Sequence, residues 1–401
     1  MKRDVSDLAL FGGRSAFLHP VHVGCPSRVD RARLFDRLNW VLDNQWLTNG
    51  GPLALELEDR VAEIAGVRNC VATCNATTAL QLLFQAAELT GEVIMPSLSF
   101  AATAHAARWI GLDPVFVDVD PLTGSMEPAA VAKAIGPRSA AILGVHLWGR
   151  PCQVDDLEKV AADHGLPLFF DAAHATGCTW RGRAVGGFGT AEVFSFHATK
   201  VVNAFEGGAV VTDDDELAQR VRALHNFGIG LSDSSPAGGT NGKMSEASAA
   251  MALTSLDAFE DTVRHNRANF HLYSEELADV PGLSVIPHDR DERHNYQYVI
   301  VAVEESATGI GRDLLIEVLR AENAMAKPYF SPPCHQLEPY RSRAPVELPH
   351  TERLAARVLA LPTGTSVSRE DIRRVCNVLR LAVSYGADVT TRWNRMKGGR
   401  E

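Results

Sequence analysis

The chain has little of what marks a secreted, membrane-spanning or nucleic-acid-binding protein. Its 401 residues include only seven cysteines, at positions 25, 70, 74, 152, 178, 334 and 376. They are scattered and odd in number, only Cys70 and Cys74 stand close together, and no second pair completes a zinc pattern. That excludes a disulfide framework and leads us to expect reduced, mostly buried thiols in a cytoplasmic protein. No run approaches the roughly 18 apolar residues of a membrane span, and MKRDVSDLAL has no apolar signal-peptide region. Positive charge is scarce as well: 39 Lys and Arg against 49 Asp and Glu give a net charge of −10. A nucleic-acid binder would show a basic face, so that class is set aside, and an anionic small molecule would need a locally basic pocket. The fingerprint G-x-G-x-x-G follows no apolar run, and Gly309-Ile310-Gly311-Arg312-Asp313 lacks its third glycine, which argues against a dinucleotide fold. Internal repeats and low-complexity segments are missing too.

What is present reads as a globular α/β protein. Hydrophobic residues make up 46% and charged residues 22% of the chain, and its length calls for two domains. Short apolar runs such as Cys70-Val71-Ala72, VIMP, PVFVDVD and AAILGVHLWG alternate with stretches of helical length. This alternation predicts a mostly parallel, doubly wound sheet. Helices are expected over Arg31 to Asn44, Leu53 to Ile64, Leu217 to Leu224 and Asp313 to Ala321. One long helix is expected from Ser245 to Leu277, a terminal helix from Arg369 to Ser384, and a polar, frayed tail after it. EGGAVVTDD reads as a sheet-edge strand entered through paired glycines. HNFGIGLSDSSPAGGTNGKM reads as a long Gly/Ser loop.

The chemistry concentrates between Pro167 and Asp213. The apolar runs Leu168-Phe169-Phe170 and Val193-Phe194-Ser195-Phe196 are each short and flanked by Gly or Pro, as buried strands are. The first delivers Asp171 at its carboxyl end, and the second delivers Ser195 and then Lys200. Ligands of open α/β sheets bind outside those ends, which makes Asp171 and Lys200 candidates for one crevice. A lysine Schiff base with an acidic partner on a pyridinium nitrogen is how proteins hold pyridoxal phosphate. Ser195 could donate its hydroxyl to the phosphate. By spacing alone the pair also fits a helix-capping Asp and a surface Lys. Asn75-Ala76-Thr77, a strand running into a helix, offers either a phosphate-binding helix N-terminus or a plain N-cap.

DAAHATG, SFHATK and EGGAVVTDD, in this order, closely resemble the DegT/DnrJ/EryC1/StrS family of sugar aminotransferases. The resemblance runs from WLTNGGP at Trp46 to LPTG near Leu361. It implies a fold type I, aspartate-aminotransferase-like enzyme in two domains. A large domain with an N-terminal arm would span 1–250, and a small α+β domain, beginning in the long connecting helix, 251–401. It implies pyridoxal 5'-phosphate as cofactor, with Lys200 and Asp171 catalytic. Ala76, Thr77 and Ser195 would hold its phosphate, Phe100 would stack on its ring, and His174 would take the place of the family's usual glutamine. Gly239-Thr240-Asn241-Gly242-Lys243-Met244 matches a GxNxxM segment, so Asn241 would reach the cofactor phosphate of a partner subunit in a homodimer with shared sites. Lys327, Tyr329 and His335, in KPYFSPPCHQLEPYR, would lie over the substrate. His197 reads as packing or a subunit contact, while for His146 and Trp148 a place on the pocket wall stays open.

The branch that aminates C4 of a dTDP-4-keto-6-deoxyhexose, with L-glutamate as donor, is the nearest in wording. Amination of a 3-keto isomer, or a cofactor-binding regulator without turnover, are the alternatives. Relatives that dehydrate or deoxygenate sugars carry histidine in place of the lysine. Lys200 therefore favours transamination, in the biosynthesis of an amino-deoxysugar for a glycosylated natural product.

Overall fold

The computed structural model describes residues 2–229, 238–342 and 346–398. The centre of the long Gly/Ser loop, 230–237, lies outside them. In chain order the strands are β1 (Val21–His22), β2 (Asn69–Thr73), β3 (Glu92–Pro96), β4 (Asp113–Val117), β5 (Ser139–Val145), β6 (Leu168–Asp171), β7 (Thr179–Trp180) and β8 (Arg183–Ala184). They continue with β9 (Ala191–Ser195), β10 (Gly208–Thr212), β11 (Leu283–Val285), β12 (Val299–Val303), β13 (Ala324–Met325) and β14 (Val358–Leu361). The central sheet has seven of them in the order β2-β10-β9-β6-β5-β3-β4. Every pairing in it is parallel except those of β10, which is antiparallel to both β2 and β9.

These strands are apolar on both faces because both faces are covered. Ile94, Ile142, Phe170 and Phe194 enter one core, while their neighbours Val93, Leu143, Phe169 and Val193 enter the other. The same alternation corrects the expected edge position of EGGAVVTDD. Ala209 and Val211 feed the first core and Val210 the second, and the backbone of β10 is paired on both sides, so β2 and β4 take the edges.

Helices α1 (Arg31–Asp43), α2 (Pro52–Ala65), α3 (Ala76–Ala86), α4 (Ala101–Trp109), α5 (Pro128–Ala134), α6 (Val154–His164) and α7 (Asp215–Leu224) accompany the sheet. The single helix expected from Ser245 to Leu277 is two, α8 (Glu246–Asp257) and α9 (Phe259–Leu277), broken at Ala258. The burial patterns give the reason. α8 is buried without a gap from Ala249 to Leu256, whereas α9 buries one stripe and leaves the other in solvent. A change of axis lets α8 pack on α2 and α9 on the C-terminal helix Arg369–Ser384.

A second core gathers around the three-stranded sheet β11-β12-β14, with α10 (Arg312–Ala321) and α11 (Arg369–Ser384). Val5, Leu8 and Phe17 join this core, although their place in the chain suggested the larger unit. Fully buried Glu322 explains the docking: its carboxylate accepts the amides of Ala9 (2.7 Å) and Ala16 (2.7 Å) and pairs with Lys2 at 3.1 Å. The expected frayed tail is instead a helix, Gly386–Gly398. It is anchored by buried Val389 and by the Thr390 hydroxyl, which donates to the Gly309 carbonyl at 3.0 Å.

Candidate active site

The carboxyl ends of β3, β5, β6 and β9, together with the start of β10, form one edge of the sheet, with Asp171 opposite Val193 and Gly208 opposite Ser195. A cavity of about 330 Å³ opens there. Ala76, Thr77, Phe100, Asp171, His174, Ser195, Lys200, Lys327 and Tyr329 all line it. Parallel strands explain the convergence, since their like ends share one edge and the loops that follow carry polar groups over it.

At the floor, Asp171 is buried and its two oxygens are already engaged. Oδ2 accepts from the Thr103 hydroxyl at 2.7 Å and Oδ1 from the Ala173 amide at 3.1 Å. Burial pushes its carboxyl above the ordinary range, opposed first by the Thr103 hydroxyl, then by the Ala173 amide and the Lys200 charge. Burial likewise pulls the Lys200 amine down from 10.5 to about 8, against the attraction of Asp171. A desolvated amine of this kind is a nucleophile and a base near neutral pH.

His174 has one defined tautomer. Its Nδ1 accepts the Trp148 amide at 3.3 Å, so the ring proton sits on Nε2 and can be donated into the cavity. Burial holds the imidazole well below its usual pKa, and it is neutral. Phe330 stacks on it at 5.9 Å and Tyr298 meets it edge-on at 5.0 Å. A neutral donor fixed between aromatic rings can offer the hydrogen bond that a glutamine amide would.

The opposite wall is the N-terminus of α3. The Asn75 side chain accepts from the Thr78 amide at 2.8 Å, leaving the amides of Ala76 and Thr77 free to bind an anion. A Cβ at Gly208 would lie 2.5 Å from the Ala76 nitrogen, so the paired glycines let β10 pass directly beneath this cradle. Phe100 caps α4, is 58% exposed, and leans over the cavity against Phe330 at 5.9 Å. An aldehyde-bearing, phosphorylated pyridine fits this set: an amine for the aldehyde, a carboxylate for the ring nitrogen, a donor for the phenolic oxygen, amides for the phosphate and an aromatic face for the ring.

One expected residue lies elsewhere, and one, expected at a partner's site, lies outside its own cavity. His335 does not line the cavity; its Nδ1 accepts from Ser97 Oγ (2.6 Å), its amide donates back to the same oxygen (2.9 Å), and Nε2 donates to Glu352 at 3.2 Å. Ser97 is fully buried, so His335 latches the 327–335 loop to the end of β3, outside this cavity. Asn241 is exposed, outside this cavity, in an isolated bridge with Asn226. His146 and Trp148 are also off the wall. His146 is stacked on Phe170, hydrogen-bonded to Glu192 (3.1 Å) and to the Cys152 amide (3.1 Å). His197, expected as packing or a subunit contact, lines the cavity. Tyr298, Phe330 and Thr103 were missed: the first reads as a strand residue, the second as loop, and Thr103 as one helix position among alanines.

Comparison with known proteins agrees with this geometry. The chain is 34% identical over 360 residues to a dTDP-4-amino-4,6-dideoxy-D-glucose transaminase of Escherichia coli, covering 88% of this chain and 96% of that one. It is similar to the crystal structure of DesI in the presence of its TDP-sugar product, with 63% identity, a TM-score of 0.95, and 97% and 100% of the two chains covered. DesV of S. venezuelae superposes with a TM-score of 0.83 at 31% identity, over 91% of this chain and 99% of that one. Residues 29–380 match the DegT/DnrJ/EryC1/StrS aminotransferase family, and the chain belongs to it.

Proposed function

We propose that this aminotransferase moves an amino group from L-glutamate to C4 of a dTDP-4-keto-6-deoxyhexose, dTDP-4-keto-6-deoxy-D-glucose in the first instance. The observation that carries the reading is the single cavity that joins the depressed amine of Lys200, the carboxylate of Asp171 and the Nε2–H of His174. It is supported by the likeness, over nearly the whole chain, to proteins whose names specify a dTDP-4-amino sugar or a TDP-sugar product. The regulator alternative falls away because the complete Lys200 and Asp171 pair stands in a member of an aminotransferase family.

Pyridoxal 5'-phosphate, when bound, supplies the electron sink and the temporary seat for the amino group. The chain's own residues do the rest. Ala76 and Thr77 amides and Ser195 Oγ hold the phosphate, Asp171 keeps the ring nitrogen protonated, and His174 Nε2–H donates to the phenolic oxygen. Lys200 Nζ takes the proton from the α-carbon of glutamate, and in the second half-reaction returns one at C4 of the sugar. Phe100 and Phe330 keep water off the ring. Lys327 and Tyr329 lie on the side open to substrate, and the Lys327 ammonium suits a diphosphate as a point charge.

We place the enzyme in the cytoplasm as a homodimer, in a pathway that makes an amino-deoxysugar for a glycosylated natural product. All seven cysteines are free, which suits a reducing compartment, and among the described residues no helix is long and apolar enough to cross a membrane. Support for the dimer comes from exposed Phe35, Trp40, Leu42, Trp46 and Leu47 on α1 and the corner after it. Asn241, exposed and outside its own cavity, serves the partner's phosphate. Incubation with glutamate and the 4-keto sugar tests the assignment: product NMR should show nitrogen at C4, with 2-oxoglutarate released in equal amount. Consumption of a 3-keto isomer alone would replace C4 by C3.

A further inference from the structure

Along the cavity floor, from Ser99 to Asp171, runs a hydrogen-bonded chain that the reaction as described leaves unused. Ser99 Oγ is 2.6 Å from Thr103 Oγ1, which is 2.7 Å from Asp171 Oδ2. Ser99 and Thr103 are 4% and 1% exposed, so water does not compete for these bonds. Ser99 and Thr103 sit one helical turn apart, at the mouth and in the first turn of α4. The direction of the chain follows from proton count. An ionised carboxylate only accepts, so Thr103 gives Asp171 its one proton, and Thr103 Oγ1 in turn accepts the proton of Ser99.

The titratable groups around Asp171 make this chain consequential. Lys200 faces it from the loop after β9, His146 from the end of β5, and the Cys334 thiol from the 327–335 loop, where burial, helped by Asp171, pushes that thiol up to about 12. Lys200 gives up its charge when its amine reacts. His146 does not take its place, because its Nε2 is committed to Glu192 at 3.1 Å and its Nδ1 to the Cys152 amide at 3.1 Å. Besides the ring nitrogen itself, the donors left to this buried carboxylate are neutral ones of the chain: the Thr103 hydroxyl and the Ala173 amide.

We infer that Thr103, supported by Ser99, is a positioning residue that keeps Asp171 ionised and aimed, and so keeps the cofactor's ring nitrogen protonated. The inference rests on the cofactor reading above. A hydrogen bond to a charged group corresponds to roughly a ten- to hundredfold change in the acid constant of Asp171. Thr103→Val keeps the shape and deletes the donor, Thr103→Ser restores it, and Ser99→Ala removes only the second link.

With 15N-labelled pyridoxal phosphate bound, the ring-nitrogen resonance reads protonation directly. Wild type and Thr103→Ser should hold the protonated position to high pH. Thr103→Val should shift it toward the unprotonated position across the whole range, as the proton passes from the ring nitrogen to the more basic Asp171 carboxyl, with Ser99→Ala between them and cofactor occupancy preserved. An unchanged resonance in Thr103→Val and Ser99→Ala would overturn the inference. If Thr103→Val does not fold, Ser99→Ala decides by the same measurement. Borohydride reduction separates the two levels: cofactor fixed to Lys200 with an unmoved resonance sinks the relay alone, whereas cofactor that is not fixed there sinks the site reading beneath it.

Discussion

Lys200 and Asp171 show how burial rather than residue type sets reactivity. Either side chain on the surface would hold a full charge at neutral pH; buried at the end of β6 and in the loop after β9, each is pushed toward neutrality, and their attraction only partly compensates. Borohydride treatment of the loaded enzyme should fix the cofactor to Lys200 in a peptide map; label on Lys243 or Lys327 would contradict the site. Asp171→Asn should keep the cofactor yet lose turnover by about a hundredfold or more, because a neutral amide cannot hold the ring nitrogen protonated. The depressed amine also has a signature in stability. Below pH about 8 the cofactor-free protein folds around a buried ammonium, and that cost is complete. Between about 8 and 10.5 the unfolded chain binds more protons than the folded one, so this contribution makes stability rise with pH, and above 10.5 the cost is gone. Cofactor-free Lys200→Met should therefore melt higher than wild type at pH 7, with the gap closing by pH 10.5. A constant gap would mean that the amine is not desolvated.

Among elements, two contacts between segments distant in sequence shape the site's surroundings. The buried carboxylate of Glu246, at the start of α8, accepts the Leu53 and Ala54 amides at 2.8 and 3.1 Å and so caps α2 from outside. Gly51 must lack a side chain, since its Cβ would fall 2.5 Å from that carboxyl carbon. Glu246→Ala should cost about 1–3 kcal/mol in denaturant unfolding, the penalty for orphaned buried amides; an unchanged midpoint would show that water replaces the cap. The second contact is the His335 latch on Ser97. His335→Ala should leave the cofactor spectrum intact while weakening sugar-nucleotide binding, because Tyr329 and Phe330 ride on the freed loop. A loss of cofactor with retained sugar affinity would point to a different role.

For the whole molecule, the open question is what covers the apolar side chains of α1 and its corner. A homodimer should appear in light scattering, and Asn241→Ala should weaken cofactor retention about tenfold or more, the worth of a hydrogen bond to a charged group, without unfolding the subunit. A monomer with full activity would rule out the shared site.

Much of this architecture was legible in the residues. Period and punctuation located most strands and helices, because a strand buried on both faces must be apolar throughout and a capped helix announces its ends. Asp171 and Lys200 followed from their places at strand ends, and DAAHATG, SFHATK and EGGAVVTDD carried the family. Three-dimensional packing settled what local pattern cannot carry. The pattern of β10 is the same at an edge or inside a sheet, and only pairing on both sides distinguishes them. The helical period continues across Ala258, and the break comes from two cores that pull α8 and α9 apart. Thr103 and Asp171 are 68 residues apart, and no spacing rule links them. His335 is held away from the cavity by its hydrogen bonds to Ser97, 238 residues distant. The sequence by itself determined which chemical groups the protein owns and the strand ends that present them; the tertiary structure decided which groups meet, because desolvation and hydrogen-bond pairing act between neighbours in space.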